Sequence, residues 1–207
     1  MSSQAVQRVR LADCPAVAWK NGGGLTRELL TWAATPRTPL AQGSQDWDLR
    51  VSVADIERDG PFSTFAGIDR GFAVVQGAGV QLAMGNAPQG HTADVRAVSC
   101  ADEAIEFSGE LSVYCRLQNG PTRDLNFMVR RERGRLHMRR ARSGSSWGSG
   151  FRWWAIFCWD EGRLEWPDQG LDTPQASLLW WADKAPMSCS PTWHSQGLAY
   201  WMGWEPR

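Results

Sequence analysis

The stretch from Trp47 to Gly77 limits this chain to a β fold more firmly than any other part of the sequence. Apolar and polar or small side chains alternate there, with Trp47, Leu49, Val51 and Val53 set against Asp48, Arg50, Ser52 and Ala54. This period of two is typical of a strand that buries one face. Asp59-Gly60-Pro61 then predicts a turn, because Gly tolerates positive φ and Pro fixes φ. The apolar run Phe72 to Val75 predicts the returning strand.

The rest of the chain has the same character. No segment sustains the apolar i, i+3, i+4, i+7 spacing of an amphipathic helix over a window of about 11 residues, while short alternating segments separated by turn signals run from end to end. We therefore predict an all-β sandwich or barrel. A chain of 207 residues is long enough for two modules, which we place at residues 1–100 and 101–207, with strands exchanged between them where pairing requires it.

Lys plus Arg and Asp plus Glu both total 22, so the chain has no net charge at neutral pH. It therefore has no overall positive potential that would attract a polyanion such as nucleic acid. The segment Arg130 to Arg142 holds seven arginines and one glutamate, which could suggest nucleic acid. Period-2 alternation instead predicts a charged edge strand after a hairpin turn at Glu132-Arg133-Gly134. We expect no nucleic-acid partner.

The N-terminal residues contain no apolar run of a secretory signal, and no stretch approaches the roughly 20 apolar residues of a membrane span. We therefore expect a cytoplasmic protein with no membrane partner. The five cysteines are odd in number and form no C-x-x-C pair, which predicts small buried apolar side chains rather than disulfides or a zinc site.

Arg70 is the leading candidate for a functional residue, because Asp69-Arg70 stands directly before an apolar strand. A solvated surface pair is the alternative, since most exposed ion pairs have no special role. A site would require Arg50, Ser52 and Arg70 to converge with polar groups from two other stretches.

The first of these stretches is the polar turn Lys20 to Gly24. It does not match a phosphate-binding loop, because Lys20 precedes the glycines and the following residues alternate like a strand. Three glycines let the backbone approach a ligand or another strand closely. The candidate polar groups around this turn are Lys20, Asn21, Thr26 and Glu28.

The second stretch is the predicted strand near residue 125, where Asp124 and Asn126 share a face opposite Leu125 and Phe127. They are candidate ligand contacts, although a turn-capping Asp and a surface Asn fit the same pattern. Ten of the 13 tryptophans lie beyond residue 140. Stacking platforms for sugars or bases are one interpretation of this cluster, and we favour rings that fill a core or an interface.

Three motifs resemble one known family: WKNGGGLTRE at 19–28, LRVSVADIERDGPFSTFAGIDR at 49–70, and GPTRDLNFMVRR at 120–131. The chain resembles the HutD family, also called HutD/Ves, of bacterial cytoplasmic proteins associated with histidine utilisation. The resemblance implies a double cupin, with two jelly-roll barrels in one chain. It also implies that Arg70 holds an anionic ligand, and we add Ser63 of the same motif to the candidate contacts. Where the family has Trp directly before Arg50, Leu49 stands here, and we expect Trp47 to share its strand face.

Two functional hypotheses follow. The first is a double cupin that binds a small carboxylate of histidine breakdown (N-formylglutamate, formiminoglutamate or urocanate) and modulates expression of the pathway. The alternative is a cupin enzyme acting on a small carboxylate or amide. Metal cupins use a His-x-His pair with further ligands, whereas His91, His137 and His194 are more than 40 residues apart. We expect no metal or other cofactor, and the expected partners are the carboxylate and, at most, a second copy in a homodimer.

Overall fold

Strands dominate the computed structural model, which describes residues 6–34, 47–85, 94–147, 150–182 and 190–207. The regular structure in these ranges is 18 strands and one short 3-10 turn, Leu11–Asp13. The strands are β1 Gln7–Arg10, β2 Ala16–Ala18, β3 Gly24–Trp32, β4 Leu49–Ile56, β5 Gly60–Pro61, β6 Ile68–Gln76, β7 Val80–Met84, β8 Asp94–Val98, β9 Ile105–Ser108, β10 Val113–Leu117, β11 Thr122–Arg130, β12 Gly134–Arg140, β13 Trp153–Cys158, β14 Gly162–Trp166, β15 Gln169–Thr173, β16 Ser177–Ala182, β17 Thr192–His194 and β18 Ala199–Pro206. The predicted all-β class is confirmed. No helix in the described ranges is long and apolar enough to cross a membrane.

The strands form four antiparallel sheets. A six-stranded sheet in the order β2-β3-β4-β11-β6-β9 and a four-stranded sheet in the order β5-β10-β7-β8 share one apolar core. A five-stranded sheet in the order β1-β16-β13-β18-β12 and a three-stranded sheet in the order β15-β14-β17 share another. Each pair of sheets makes one sandwich, which we call the first and the second sandwich.

The division between the sandwiches does not fall at residue 100. Strands β9, β10 and β11 lie beyond that position and pair within the first sandwich, while β1 pairs with β16 of the second. A boundary at residue 100 would separate paired strands, so the chain passes to the second sandwich at the turn 131–133. The turn predicted at Glu132-Arg133-Gly134 therefore joins two different sheets rather than a hairpin. Strand β12, which follows it, is an edge strand as expected.

A third apolar core lies between the two large sheets and joins the sandwiches. The alternate residues Leu49, Val51 and Val53 of β4 pack into it. Phe127 of β11 stacks on Trp153 of β13, with ring centroids 5.4 Å apart and planes inclined by 22°. Both faces of the six-stranded sheet are thus covered, one by the second sandwich and one by the four-stranded sheet.

Five of the ten tryptophans beyond residue 140 are buried, and the other five are half-buried. The rings of Trp153, Trp154, Trp193 and Trp201 are fully buried, so the core interpretation is confirmed for these four and they cannot be surface platforms for sugars. Among the cysteines, Cys115 and Cys158 are buried as expected, whereas Cys14 and Cys100 are half-buried. Cys189 and His91 lie outside the described residues.

Trp47 does not share the face of Leu49. It precedes β4 and packs with Ile68 and Met128, and the guanidinium of Arg130 lies over its ring at 5.5 Å. The alternation therefore begins with the strand itself at Leu49 and does not extend back to Trp47.

Gly24 shows why the chain needs small residues at the start of β3. A Cβ there would overlap the carbonyl oxygen of Asp55 on the neighbouring strand β4. We expect Gly24→Ala to lower the free energy of unfolding by roughly 1–3 kcal/mol, because the strands must separate to admit the methyl group. Gly60→Ala is the matched control, since a Cβ at Gly60 meets no atom within 4 Å. Urea denaturation of both variants tests this, and equal midpoints would contradict it.

Candidate ligand-binding site

A cavity of about 500 Å³ lies within the first sandwich, on the face of the six-stranded sheet that points away from the second sandwich. Nine of the ten residues expected from the sequence line it: Lys20, Asn21, Thr26, Arg50, Ser52, Ser63, Arg70, Asp124 and Asn126. The tenth, Glu28, is not part of the lining; it is exposed and accepts a hydrogen bond from Arg50 Nε at 2.8 Å. The structure thus brings the three distant stretches to one place.

Strand register produces this convergence. Strand β11 lies between β4 and β6, with Asn126 opposite Ser52 on one side, and Met128 opposite Arg50 on one side and Arg70 on the other. Residues directly opposite one another in antiparallel strands point to the same face of the sheet. Side chains far apart in sequence therefore share one surface.

Arg70 is part of this surface and is only 5% exposed. Its guanidinium carbon lies 5.1 Å from the ring centroid of Phe62, 5.8 Å from that of Phe65 and 5.2 Å from that of Phe107. Nη2 donates to Asn126 Oδ1 at 2.6 Å, while buried Nε has no partner among the described residues. Burial lowers the pKa of Arg70 to about 10, so the group is still a cation at neutral pH.

The surface-pair interpretation of Asp69-Arg70 is wrong for this structure. Neighbouring residues of a strand point to opposite faces, so Asp69 does not share the cavity. Its carboxylate accepts from Arg131 Nε at 2.8 Å instead. Arg70 is therefore free of its sequence neighbour and directed into the cavity lining.

Asp124 and Asn126 are buried and extend the polar network from Arg70. Asn126 Nδ2 donates to Asp124 Oδ2, and the Asp124 side chain belongs to a residue that is 1% exposed. Burial raises the pKa of Asp124 to about 8, and the positive charge of Arg70 partly opposes that effect. Neither the turn-cap nor the surface alternative applies to these two residues.

One part of the cavity lining comes from the glycine-rich turn and the start of β3. Trp19 Nε1 donates to Thr26 Oγ1 at 2.7 Å, and Asn21 Oδ1 accepts from the backbone N–H of Gly23 at 3.0 Å. The Asn21 side chain thus supports its own turn, and Lys20 is the cation of this region.

Sequence reasoning missed the apolar part of the lining, which consists of Ala18, Trp19, Ala54, Pro61, Phe62, Phe65 and Met128. A signal for two of them was present, because Phe62 and Phe65 flank Ser63 in the motif that ends at Arg70. The segment that carries them is held by backbone hydrogen bonds from Phe62 N to Val113 O at 2.9 Å and from Phe65 N to Gly109 O at 2.7 Å. The aromatic wall over Arg70 is therefore fixed in place.

The polar groups of the cavity are suited to an anion. Guanidinium, ammonium, amide and hydroxyl groups dominate, and Arg50 and Arg70 both face the space. Within the described part of the chain, no three His, Cys, Asp or Glu side chains come together as metal ligands. The arrangement can bind a carboxylate by charge-assisted hydrogen bonds, with aromatic rings against its carbon skeleton.

Comparison with known proteins assigns the family. The family model described as HutD matches residues 11–196. The chain belongs to the HutD family. It is 37% identical over 133 residues to a Pseudomonas putida protein described as an uncharacterized 21.2 kDa protein in the hutC 3' region, covering 64% of this chain and 63% of that protein. It is 32% identical over 137 residues to Protein Ves of Citrobacter koseri, covering 65% and 64%. The chain thus spans less than two thirds of the length of these relatives.

Solved structures agree with the fold. HutD from Pseudomonas fluorescens SBW25, in a formate condition, superposes with a TM-score of 0.79 at 27% identity, covering 98% of this chain and 100% of that one. An oxalate decarboxylase from Lactobacillus farciminis, as a formate complex, gives 0.59 at 7% identity over 100% and 88%, which shows the fold alone. The double-cupin architecture is confirmed. This HutD-family protein therefore has the cupin fold.

Proposed function

We propose that this HutD-family protein binds a small carboxylate in the cavity of the first sandwich and that Arg70 is the principal anion-binding group. The carrying observation is a guanidinium, buried beneath three phenylalanine rings, whose Nε has no protein partner. A buried donor without a partner loses its hydration with no compensation. A carboxylate oxygen would supply the missing acceptor, and the planar fork of Arg matches a carboxylate in two parallel hydrogen bonds.

Cavity size and wall chemistry support a small ligand. A volume of about 500 Å³ falls within the usual range of small-molecule sites. Phe62, Phe65 and Trp19 offer apolar contact, while Ser52 and Asn126 offer neutral polar contact. The charge of Arg50 is balanced by Glu28, so Arg70 and Lys20 supply the attraction for an anion.

The ligands we propose are intermediates of histidine breakdown: N-formylglutamate, formiminoglutamate or urocanate. The family supports this choice, as does the description of the Pseudomonas putida relative by its position in the hutC 3' region. Binding of such an intermediate would let the protein modulate expression of the pathway in the cytoplasm. All three candidates carry the carboxylate that Arg70 requires.

Titration calorimetry of the full chain tests the proposal with these three compounds. We expect at least one to bind with one-to-one stoichiometry. Urocanamide is the matched neutral control for urocanate, and we expect it to bind at least tenfold more weakly if urocanate is a ligand, because it offers no charge to Arg70. Failure of all three carboxylates to bind, or equal binding of the neutral amide and its acid, would refute the proposal.

A cupin enzyme acting on a small carboxylate or amide is the second candidate function. One observation favours it: the carboxyl of Asp124 lines the cavity with a pKa raised to about 8 by burial, the property of a group that can exchange protons near neutral pH. Proton NMR of each compound incubated with the protein separates the two functions. Unchanged spectra over a day indicate a binding protein, and conversion indicates an enzyme.

A further inference from the structure

Three buried side chains form a chain of hydrogen bonds, in which Arg70 donates to Asn126 and Asn126 donates to Asp124. We propose that the cavity binds its anion with Asp124 protonated, so that Asp124 takes up one proton from solvent on binding wherever it is ionised in the free protein. This inference rests on the proposed function and adds to it that binding is coupled to protonation.

The geometry of the chain carries the first step. The Asn126 amide uses its oxygen for Arg70 Nη2 and its nitrogen for Asp124 Oδ2, so it separates the cation from the carboxyl group. Asp124 is buried, and its carboxyl group accepts a hydrogen bond from this neutral amide. Its negative charge, when present, is therefore compensated by Arg70 across an intervening side chain rather than in direct contact.

Charged and titratable groups approach Asp124 from each neighbouring strand. Arg70 of β6 opposes its negative charge, and Asp55 of β4 adds repulsion. Asp55 itself is paired with Arg27 and Arg123, which weakens that repulsion. Cys115 of β10 also senses Asp124, and its pKa is raised to about 12 by burial, so its thiol does not titrate near neutral pH. The cation acting on Asp124 is Arg70, while Arg50 acts on Arg70.

Anion binding changes this balance. A carboxylate at Arg70 places a second negative charge beside the guanidinium that compensates Asp124. Two carboxylates that share one buried site cannot both ionise without a large electrostatic cost. Where Asp124 is ionised in the free protein, its carboxylate therefore accepts one proton from water or buffer and forms one O–H bond. The summed charge of Arg70, Asp124 and the carboxylate bound at Arg70 then stays zero. Because burial already raises the pKa of Asp124 to about 8, this proton is mostly in place at neutral pH before the anion binds.

The direction of the pH dependence follows from linkage. Below about pH 8 Asp124 of the free protein is already protonated, so the affinity is nearly independent of pH and little proton is taken up. Above that value the free protein must gain the proton on binding, and the affinity falls by up to about tenfold per pH unit. The decrease ends only above the pKa of Asp124 in the complex, which the bound anion raises further.

Calorimetry of the full chain with N-formylglutamate tests the inference, at pH 7 and pH 9 and in pairs of buffers that differ in ionisation enthalpy. We expect an uptake of about 0.1 proton per ligand at pH 7 and close to one at pH 9. Asp124→Asn keeps an oxygen that can accept from Asn126 but cannot ionise. In that variant we expect no uptake at either pH and an affinity that changes less than threefold between them.

Lys20 is another charged group that lines the cavity, so Lys20→Gln is measured in parallel. Proton uptake that disappears in Lys20→Gln and persists in Asp124→Asn would overturn the inference. Binding to the wild type with neither uptake nor a fall in affinity at pH 9 would also overturn it, while leaving the proposed function intact. If Asp124→Asn does not fold, the proton uptake and the pH dependence of the affinity in the wild type decide whether the inference holds. If N-formylglutamate binds at neither pH, the inference of proton-coupled binding is overturned for this ligand.

Discussion

Arg70→Ala is expected to weaken binding of the carboxylate ligand about 30- to 150-fold, which corresponds to roughly 2–3 kcal/mol. The guanidinium is buried beside three aromatic rings, where water competes weakly for its hydrogen bonds. Arg70→Lys is expected to recover only part of the affinity, because an ammonium cannot reproduce the bidentate fork. Titration calorimetry with N-formylglutamate, formiminoglutamate and urocanate provides the measurement.

Arg116→Ala is the matched control for the loss of one positive charge, since Arg116 is exposed on β10 and does not line the cavity. We expect its affinity to equal that of the wild type. Because Arg70→Ala removes a buried side chain, Arg70→Met serves as a second variant that fills a similar volume without charge. Arg50→Ala could mimic the effect by disturbing the same surface, so thermal unfolding of all variants is compared first. A folded Arg70→Ala protein that binds as tightly as the wild type would exclude Arg70 from the site.

Trp153→Ala is expected to destabilise the protein by about 3–5 kcal/mol, the largest effect on stability that we predict. The residue is 0% exposed and stacks on Phe127 across the core that joins the two sandwiches. Its removal leaves a void that neighbours on two sheets can fill only in part. Equilibrium denaturation in urea gives the free energy of unfolding.

Tyr114→Ala is the control for loss of an aromatic ring on a strand, because Tyr114 of β10 is 43% exposed. We expect it to cost less than about 1 kcal/mol. The shared core also predicts a single cooperative transition for the wild type, since neither sandwich can unfold without exposing the common interface. Equal effects of the two substitutions would contradict the packing described for Trp153.

For several site residues, the sequence alone predicted which side chains lie on the same face of a strand. Alternation placed Arg50 with Ser52, and Asp124 with Asn126, on the polar side of their strands, and the structure keeps both pairs together. The motif ending at Arg70 and the glycine-rich turn were also recognisable. The all-β class followed from the same alternation, because local side-chain periodicity reflects which face of a strand is buried.

The direction in which that polar face points was decided by the tertiary structure. Both faces of β4 are covered, one by the second sandwich through Leu49, Val51 and Val53, and the other by the cavity wall. Alternation alone is equally compatible with a polar face in water. Burial of Asp124, and with it the raised pKa, depends on a second sheet that no local pattern reveals.

The sequence pattern also did not predict which distant strands pair with each other. The module boundary lies at residues 131–133 rather than at residue 100, and β1 joins the second sandwich, because hydrogen-bonded partners are selected by long-range packing. Long-range packing also explains why Trp47 packs elsewhere and not, as predicted, on the face of Leu49. Local alternation determined which side chains share a face of each strand. Contacts between residues far apart in the chain determined which of these faces come together. The free energy of those contacts depends on surfaces that exist only after the sheets have assembled.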